Sequence, residues 1–512
     1  MKRFTFIKNA FILTATSLLL RTVGMFFRVY MSGKIGAEGM GLYQLIFSIY
    51  VLASTFATAG ISTAVTRLVA EESGRGAKTV RRILHRAIAV SAVVGIVSGL
   101  VVFFAAEPIS IYWLKDVRAV PALKILSPSL LFMGISSCLR GYFIARRRVS
   151  SSSNAQLFEQ AVRMAVVFVL IDHFAPMGLS YACGAVLAAD TIAEFGSCLY
   201  MAVAYRLDKK RLEQEEAGMD IPAKGVLRRL LGIAVPISAG RYLNSALRTV
   251  ENLLVPGCLG QYSASREQGV AQFGMLKGMA MPILFFPSSF LTSFTTLLVP
   301  EISESAAHHR TGQVERAVNR SLHVTLTASI LLSGLFVLFS RQLGMAVYGS
   351  EEVGFLIGAL APIMPFMYLE SVVEGLLKGL DQQVSSLKYS VIDSALRITL
   401  ILVLVPVQGI QGFLYVMILS NILTSVLNLR RLLKVTGIHL RWSKWIIKPA
   451  LAVATAGAIT WFVQTYLIGG TLSPLAVLLT GMPITALGYA VLILLFGCVT
   501  REDARFLSPR RV

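Results

Sequence analysis

Four arginines stand where a soluble protein would place leucine. Arg21 and Arg28 lie in FILTATSLLLRTVGMFFRVY, and Arg241 and Arg248 lie in AVPISAGRYLNSALRTVENLL. Each pair is seven residues apart. Two helical turns take about seven residues, so each pair shares one helix face, with Cα atoms roughly 10 Å apart. A guanidinium at bilayer depth costs at least about 2.5–3.5 kcal/mol on insertion scales. A chain that carries this cost twice in matching places points to an internal cationic cavity for an anion. Phosphate suits it, because the planar fork donates paired hydrogen bonds and stays charged. The competing reading is a set of salt bridges to other helices. Lys277, in GMLKGMAMP, is either a fifth cation of that cavity or the partner of an acid.

The elements that carry these residues are membrane helices. Of 512 residues, 55% are hydrophobic, and the mean hydropathy is +0.69. Fourteen apolar spans are expected, at 10–31, 40–70, 83–106, 121–145, 155–173, 178–205, 227–255, 268–299, 318–346, 354–380, 385–406, 409–432, 445–468 and 472–498. The net charge of +21 does not call for nucleic acid, because the basic residues sit in alternate short loops. With a cytoplasmic N-terminus, the inside loops hold Arg81, Arg82, Arg146, Arg147, Arg148, Arg310 and Arg430, among others, and the tail adds Arg501, Arg505, Arg510 and Arg511. The outside loops hold few. Both termini are therefore expected inside, in a multi-pass protein of the plasma membrane. Lys2, Arg3 and Lys8 ahead of an apolar run mimic a signal peptide, but that run carries Arg21 and Arg28, so it reads as a retained first helix. The cysteines (Cys138, Cys183, Cys198, Cys258 and Cys498) form no CxxC pair and read as small packing residues.

An internal repeat supports the count. Residues 126–170 resemble 364–405: Arg140-Gly141 matches Lys378-Gly379, and Glu159…Arg163 matches Asp393…Arg397. Leu68-Val69-Ala70-Glu71 likewise matches Leu298-Val299-Pro300-Glu301. Helices 1–6 then pair with helices 7–12 in the same orientation, which makes two parallel six-helix repeats around a central cavity, plus two C-terminal helices. The expected division is an N-lobe at 1–206, a cytoplasmic linker at 207–226, a C-lobe at 227–432, and accessory helices with a basic tail at 433–512. Pro236, Pro282, Pro287, Pro362 and Pro365 are expected to interrupt helices 7, 8 and 10.

The remaining intramembrane charges divide into braces and candidates for ion coupling. Glu159–Arg163 and Asp393–Arg397 have the favoured i,i+4 order for a self-neutralised pair. Asp393 has the alternative role of holding a coupling proton or sodium ion. Glu370, Glu374 and Lys378 share a face, Arg67 lies near a helix end, Glu251 follows Arg248 by three residues, and Asp190 and Glu194 complete the acidic set. There is no GxxxxGK[ST] phosphate loop, so ATP does not drive the process. No cofactor is expected; coupling to sodium, protons or the membrane potential stays open.

Three segments carry a resemblance: KNAFILTATSLLLRTVGMFFRVYMSGKIGAEGMGLYQLIFSIY, FPSSFLTSFTTLLVPEISE and EGLLKGLDQQVSSLKYSVIDSALR. With the arginine pairs, the chain resembles the multidrug/oligosaccharidyl-lipid/polysaccharide flippase superfamily, in its polysaccharide-biosynthesis, sporulation-type branch. The resemblance covers essentially the whole chain. It implies an all-α transporter, not an enzyme, working by alternating access. It implies an undecaprenyl-pyrophosphate-linked saccharide as substrate, with lipid II for spore peptidoglycan foremost. It also implies that Arg21 and Arg28 meet the pyrophosphate, with Arg241 and Arg248 as seventh-helix counterparts. Helices 13 and 14 would hold the lipid tail, and membrane lipids and proteins of cell-wall or spore-cortex synthesis would be the partners. Other lipid-linked polysaccharide units remain an alternative. So does cation-coupled drug export on the same fold, whose cavity should be acidic or apolar. A membrane glycosyltransferase would need an acid or base in a large outer loop, and the longest, about 107–120, offers only Glu107 and Asp116. A non-catalytic scaffold of the envelope machinery is the last rival.

Overall fold

The structure is a computed structural model that describes residues 2–58, 60–72, 76–215, 225–438, 440–468 and 473–498. The basic tail and the middle of the expected linker lie outside these residues. Every described element is helical. The chain packs as two compact units, Met1–Gly274 and Met275–Val512.

The first unit contains α1 (Lys2–Thr58), α2 (Ile61–Glu72), α3 (Ala77–Phe104), the single turn α4 (Ala106–Pro108), α5 (Ala119–Leu126), α6 (Ser129–Ala145), α7 (Val149–Phe174), α8 (Leu179–Glu215), α9 (Val226–Ser263) and α10 (Arg266–Phe273). α1 is two helices joined without a gap at Gly36, whose φ of 67° and ψ of −174° belong to glycine almost alone. This is where the apolar pattern pauses between the first two expected spans. Gly60, at φ +74°, separates α1 from α2, and a Cβ there would lie 2.3 Å from the Ala234 carbonyl oxygen of α9. Its missing side chain lets two backbones touch, which is how helices associate where lipid removes the hydrophobic drive. α9 accordingly packs on α1, α2, α3 and α10, within the first unit. The repeat groups the same helix with the second half by sequence, which is a statement about kinship and not about packing.

The second unit contains α11 (Met281–Phe285), α12 (Ser288–Ala307), α13 (Thr311–Leu338), α14 (Ser340–Tyr348), α15 (Glu351–Leu360), α16 (Met364–Gly379), α17 (Gln383–Thr436), α18 (Lys448–Phe462) and α19 (Pro474–Leu495). α17 again merges two expected spans, across Gly409 at φ 59°. The span expected at 318–346 is broken at Phe339 into α13 and α14. The prolines behave unequally. Pro282 and Pro287 lie in the interrupted run of π-turn Gly274–Ala280, α11 and α12, and Pro362 sits in the 3-10 turn Ala361–Ile363 before α16. Pro236, by contrast, lies inside α9, which runs unbroken from Val226 to Ser263. The expected interruption of the seventh helix there is corrected: membrane helices tolerate an internal proline without breaking.

Nine stretches among the described residues are long and apolar enough to cross a membrane. The direction of their side chains identifies the surrounding medium. Val97, Leu100, Val101 and Phe104 of α3, and Leu487, Leu494 and Leu495 of α19, face outward and are exposed. Helices whose largest apolar groups point away from the protein are stable in hydrocarbon, not in water.

Candidate functional site

Both arginine pairs belong to the first unit: Arg21 and Arg28 lie on the half of α1 before Gly36, and Arg241 and Arg248 on α9, which meets the half after it. Arg28 is half-buried, while Arg21, Arg241 and Arg248 are exposed. The contact between α1 and α9 is a polar seam. Asn252 Nδ2 donates to Ser48 Oγ at 3.0 Å, and Thr249 Oγ1 to the Ser48 carbonyl at 3.2 Å. Thr55 Oγ1 donates to Ser245 Oγ at 3.2 Å. Tyr242 donates to the Phe56 carbonyl at 3.4 Å and stacks on the Phe56 ring at 4.5 Å. Residues 238, 242, 245, 249 and 252 thus form one face of α9, spaced by three and four. Arg241 and Arg248 each precede a seam residue by one position, which is about 100° around the helix. The seam therefore places both guanidiniums on one flank of α9. Among the described residues, Arg28, Arg241 and Arg248 form no ion pair. Arg28 acts electrostatically on Tyr43 of α1, as does Arg163.

The other charges are placed as follows. Lys277 lies in the π-turn Gly274–Ala280 of the second unit, half-buried, with Nζ 5.9 Å from the centroid of the Phe413 ring. Arg67 pairs with Glu71 one turn on, at 2.7 Å, and Glu71 and Glu72 both meet Arg229 of α9. Glu251 is buried whereas Arg248 is exposed, so the two face different surroundings. Glu374 pairs with Lys378 at 2.8 Å, and Glu370 is half-buried on the same helix. Asp393 lies 3.8 Å from Arg397 and accepts a hydrogen bond from Ser420.

The Glu159–Arg163 pair forms, at 3.1 Å, but it is part of something larger. Arg163 also reaches Asp190 at 2.5 Å, and Arg140 reaches Glu159 at 3.0 Å. The sequence reading missed Arg140, although its alignment with Lys378, which also pairs with an acid, was a usable signal. It also missed Asp208, a buried carboxylate that receives Tyr142, Arg146 and Arg148. No pattern within one segment could reveal that cluster, because it joins α6, the turn after it and α8.

The loop at about 107–120, where a glycosyltransferase would need its acid or base, is tied down by its carboxylate. Asp116 is buried and bound to Arg118 at 2.8 Å, and Arg118 also pairs with Glu38 at 2.7 Å. Arg266 of α10 donates to the carbonyls of Leu114 and Lys115. Asp116 is committed to holding the loop.

A family model described as "Polysaccharide biosynthesis protein" matches residues 6–306. The chain belongs to this family. Stage V sporulation protein B of Bacillus subtilis (strain 168) is 27% identical over 510 residues, covering 99% of this chain and 98% of that protein. Lipid II flippase MurJ of the same organism is 23% identical over 430 residues, covering 78% of this chain and 76% of the relative. A solved structure of lipid II flippase MurJ in an inward closed conformation superposes with a TM-score of 0.68 at 15% identity, over 95% of this chain and 98% of that one. This member of the polysaccharide biosynthesis family therefore has the MurJ-type helical fold.

Proposed function

We infer that this protein is a flippase that carries an undecaprenyl-pyrophosphate-linked saccharide, lipid II foremost, across the plasma membrane by alternating access. The observation that carries the reading is the presentation of Arg241 and Arg248 on one flank of the α1–α9 seam, with neither in an ion pair among the described residues. Arginines in a bundle cost too much to be left without an anion, and a pyrophosphate supplies two charges and several acceptor oxygens in fork geometry. The names of the relatives, a lipid II flippase and a stage V sporulation protein, agree with a cell-wall precursor as cargo and with spore formation as the setting. Arg21 and Arg28 complete the site in this proposal. No covalent step is involved: the headgroup is bound and released while the lipid tail stays in the bilayer, along the last two helices.

The proposed topology has fourteen crossings and both termini inside. Among the described residues, Gly36 and Gly409 each divide one of the nine long apolar stretches in two. The more polar helices Val149–Phe174 and Val226–Ser263, and the run from Arg266 to Ala307, supply three more.

The test is headgroup translocation in liposomes. Fluorescent lipid II, a peptide-free undecaprenyl-pyrophosphate sugar and a cationic drug are each followed by accessibility to an external quencher. Wild-type protein is expected to move lipid II, and Arg21→Ala/Arg241→Ala to abolish the movement. Movement of the peptide-free lipid alone would reassign the protein to polysaccharide export. Full transport by the double variant would remove the arginine site.

A further inference from the structure

A second charged system lies deep in the first unit, among α6, α7 and α8. Its members are Glu159 and Arg163 on α7, Arg140 on α6, and Asp190 and Glu194 on α8. Asp190 and Glu194 are one helical turn apart on the same face and are 4% and 3% exposed. Both guanidiniums are engaged by the other two carboxyl groups, with Arg140 Nε left buried and without a hydrogen-bond partner. Arg163 bridges Glu159 and Asp190, at 3.1 and 2.5 Å, and Arg140 holds Glu159 at 3.0 Å with Ser197 Oγ at 3.5 Å. Glu194 receives neither of them. Its Oε2 is buried without a hydrogen-bond partner, and so is Oδ2 of Asp190.

The charge count is the point. Three carboxyl groups face two guanidiniums, so the fully ionised cluster carries one uncompensated negative charge, with two of its carboxyl groups, Asp190 and Glu194, buried. A buried carboxylate with no donor pays its whole desolvation cost, and a second carboxylate nearby adds repulsion. One bound proton removes both penalties. A metal ion is the poorer solution. The carboxylate oxygens that would ligate it already meet positive guanidiniums, and among the described residues no three acidic, histidine or cysteine side chains are grouped to hold one.

The geometry points to a proton-binding site in the α6–α8 cluster, with Glu194 as the group that takes up and releases the proton. On release, the Glu194 O–H bond breaks heterolytically, the proton passes to water, and the electron pair stays on the carboxylate. Arg140 is the group positioned to respond. It already touches Ser197, one turn beyond Glu194, so a newly charged Glu194 competes with Glu159 for it and draws α6 and α7 against α8. Other titratable groups face the cluster: Cys198 of α8 senses Glu194 and Arg140. α1 contributes Tyr43 and Tyr50, which sense Asp190, Arg163 and Glu194. Lys124 of α5 lies over the Phe103 ring, and Asp172 at the end of α7 is paired with Lys34. Tyr43 is also within the electrostatic reach of Arg28. Proton occupancy and anion binding at Arg28 would therefore be coupled, a link that rests on the proposed function; the proton site itself does not.

Infrared difference spectroscopy on the purified full chain in nanodiscs, between acidic and alkaline buffer, tests the site without any transport. Wild-type protein is expected to show a protonated-carboxyl C=O band that disappears on alkalinisation. Glu194→Gln should lack it, and the swap keeps the side chain's size and resembles the protonated state, so folding should survive. Glu159→Gln leaves two carboxylates facing two guanidiniums, and its band should fade at a more acidic pH than in wild type. A wild-type protein with no titrating band, or an undiminished band in Glu194→Gln, would overturn the assignment; so would a Glu159→Gln band that fades at the wild-type pH. The link is read separately, from lipid II translocation under an imposed pH gradient. Wild type should respond and Glu194→Gln should not. A band that behaves as expected with gradient-insensitive transport in both proteins would keep the proton site and remove its coupling to the anion.

Discussion

At the scale of the residue, the decisive property is whether a charge has a partner. Asp208 has three, and removing it strands Arg146 and Arg148 near a buried position. Asp208→Ala should therefore cost about 3–5 kcal/mol, the usual penalty for breaking a buried pair, and should appear as a clear drop in thermal unfolding temperature in detergent. The seam-flanking arginines should behave in the opposite way. Arg241→Gln and Arg248→Gln are expected to leave thermal stability nearly unchanged while lowering lipid II translocation, because no described acid depends on them. Arg241→Lys keeps the charge but loses the fork. It should transport at an intermediate rate, roughly tenfold below wild type if one charge-assisted hydrogen bond of about 1.5 kcal/mol is lost.

Elements are governed here by where backbones approach and where they must turn. Gly36 and Gly60 separate two kinds of constraint. Nothing lies within 4 Å of a Cβ built at Gly36, so Gly36→Ala meets only the backbone penalty of its positive φ, about 1–3 kcal/mol. At Gly60 the same substitution adds a collision with α9 at 2.3 Å. Gly60→Ala should thus be the more damaging of the two in a thermal-shift measurement, and equal effects would mean that α1 and α9 are not in contact at that point. Pro236→Ala should be nearly silent, since α9 is continuous through it.

Over the whole molecule, the proposed orientation rests on the Lys/Arg bias of alternate loops. A membrane-impermeant maleimide applied to intact cells should label Lys115→Cys, in the loop proposed to lie outside, and should reach Thr311→Cys only after lysis. Both positions are exposed, and the native cysteines are first replaced by serine or alanine. Labelling of both from the same side would break the alternation on which the fourteen-crossing topology depends. The sequence alone made much of this legible. Hydropathy located the helices because each must satisfy its own backbone in lipid, and Glu159–Arg163, Glu374–Lys378 and Asp393–Arg397 were readable because one helical turn brings such pairs together. The same local signal marked Arg241 and Arg248 as one face of one helix. What it could not contain is anything joining distant segments. The enlistment of Arg140 and Asp190 around Glu159, the three groups that meet on Asp208, and the exclusion of Glu194 from every ion pair were decided by how α6, α7 and α8 pack. So was the placing of α9 against α1, where Gly60, Ser48 and Tyr242, nearly two hundred residues from their partners, form a seam only because small and polar side chains let those two backbones meet.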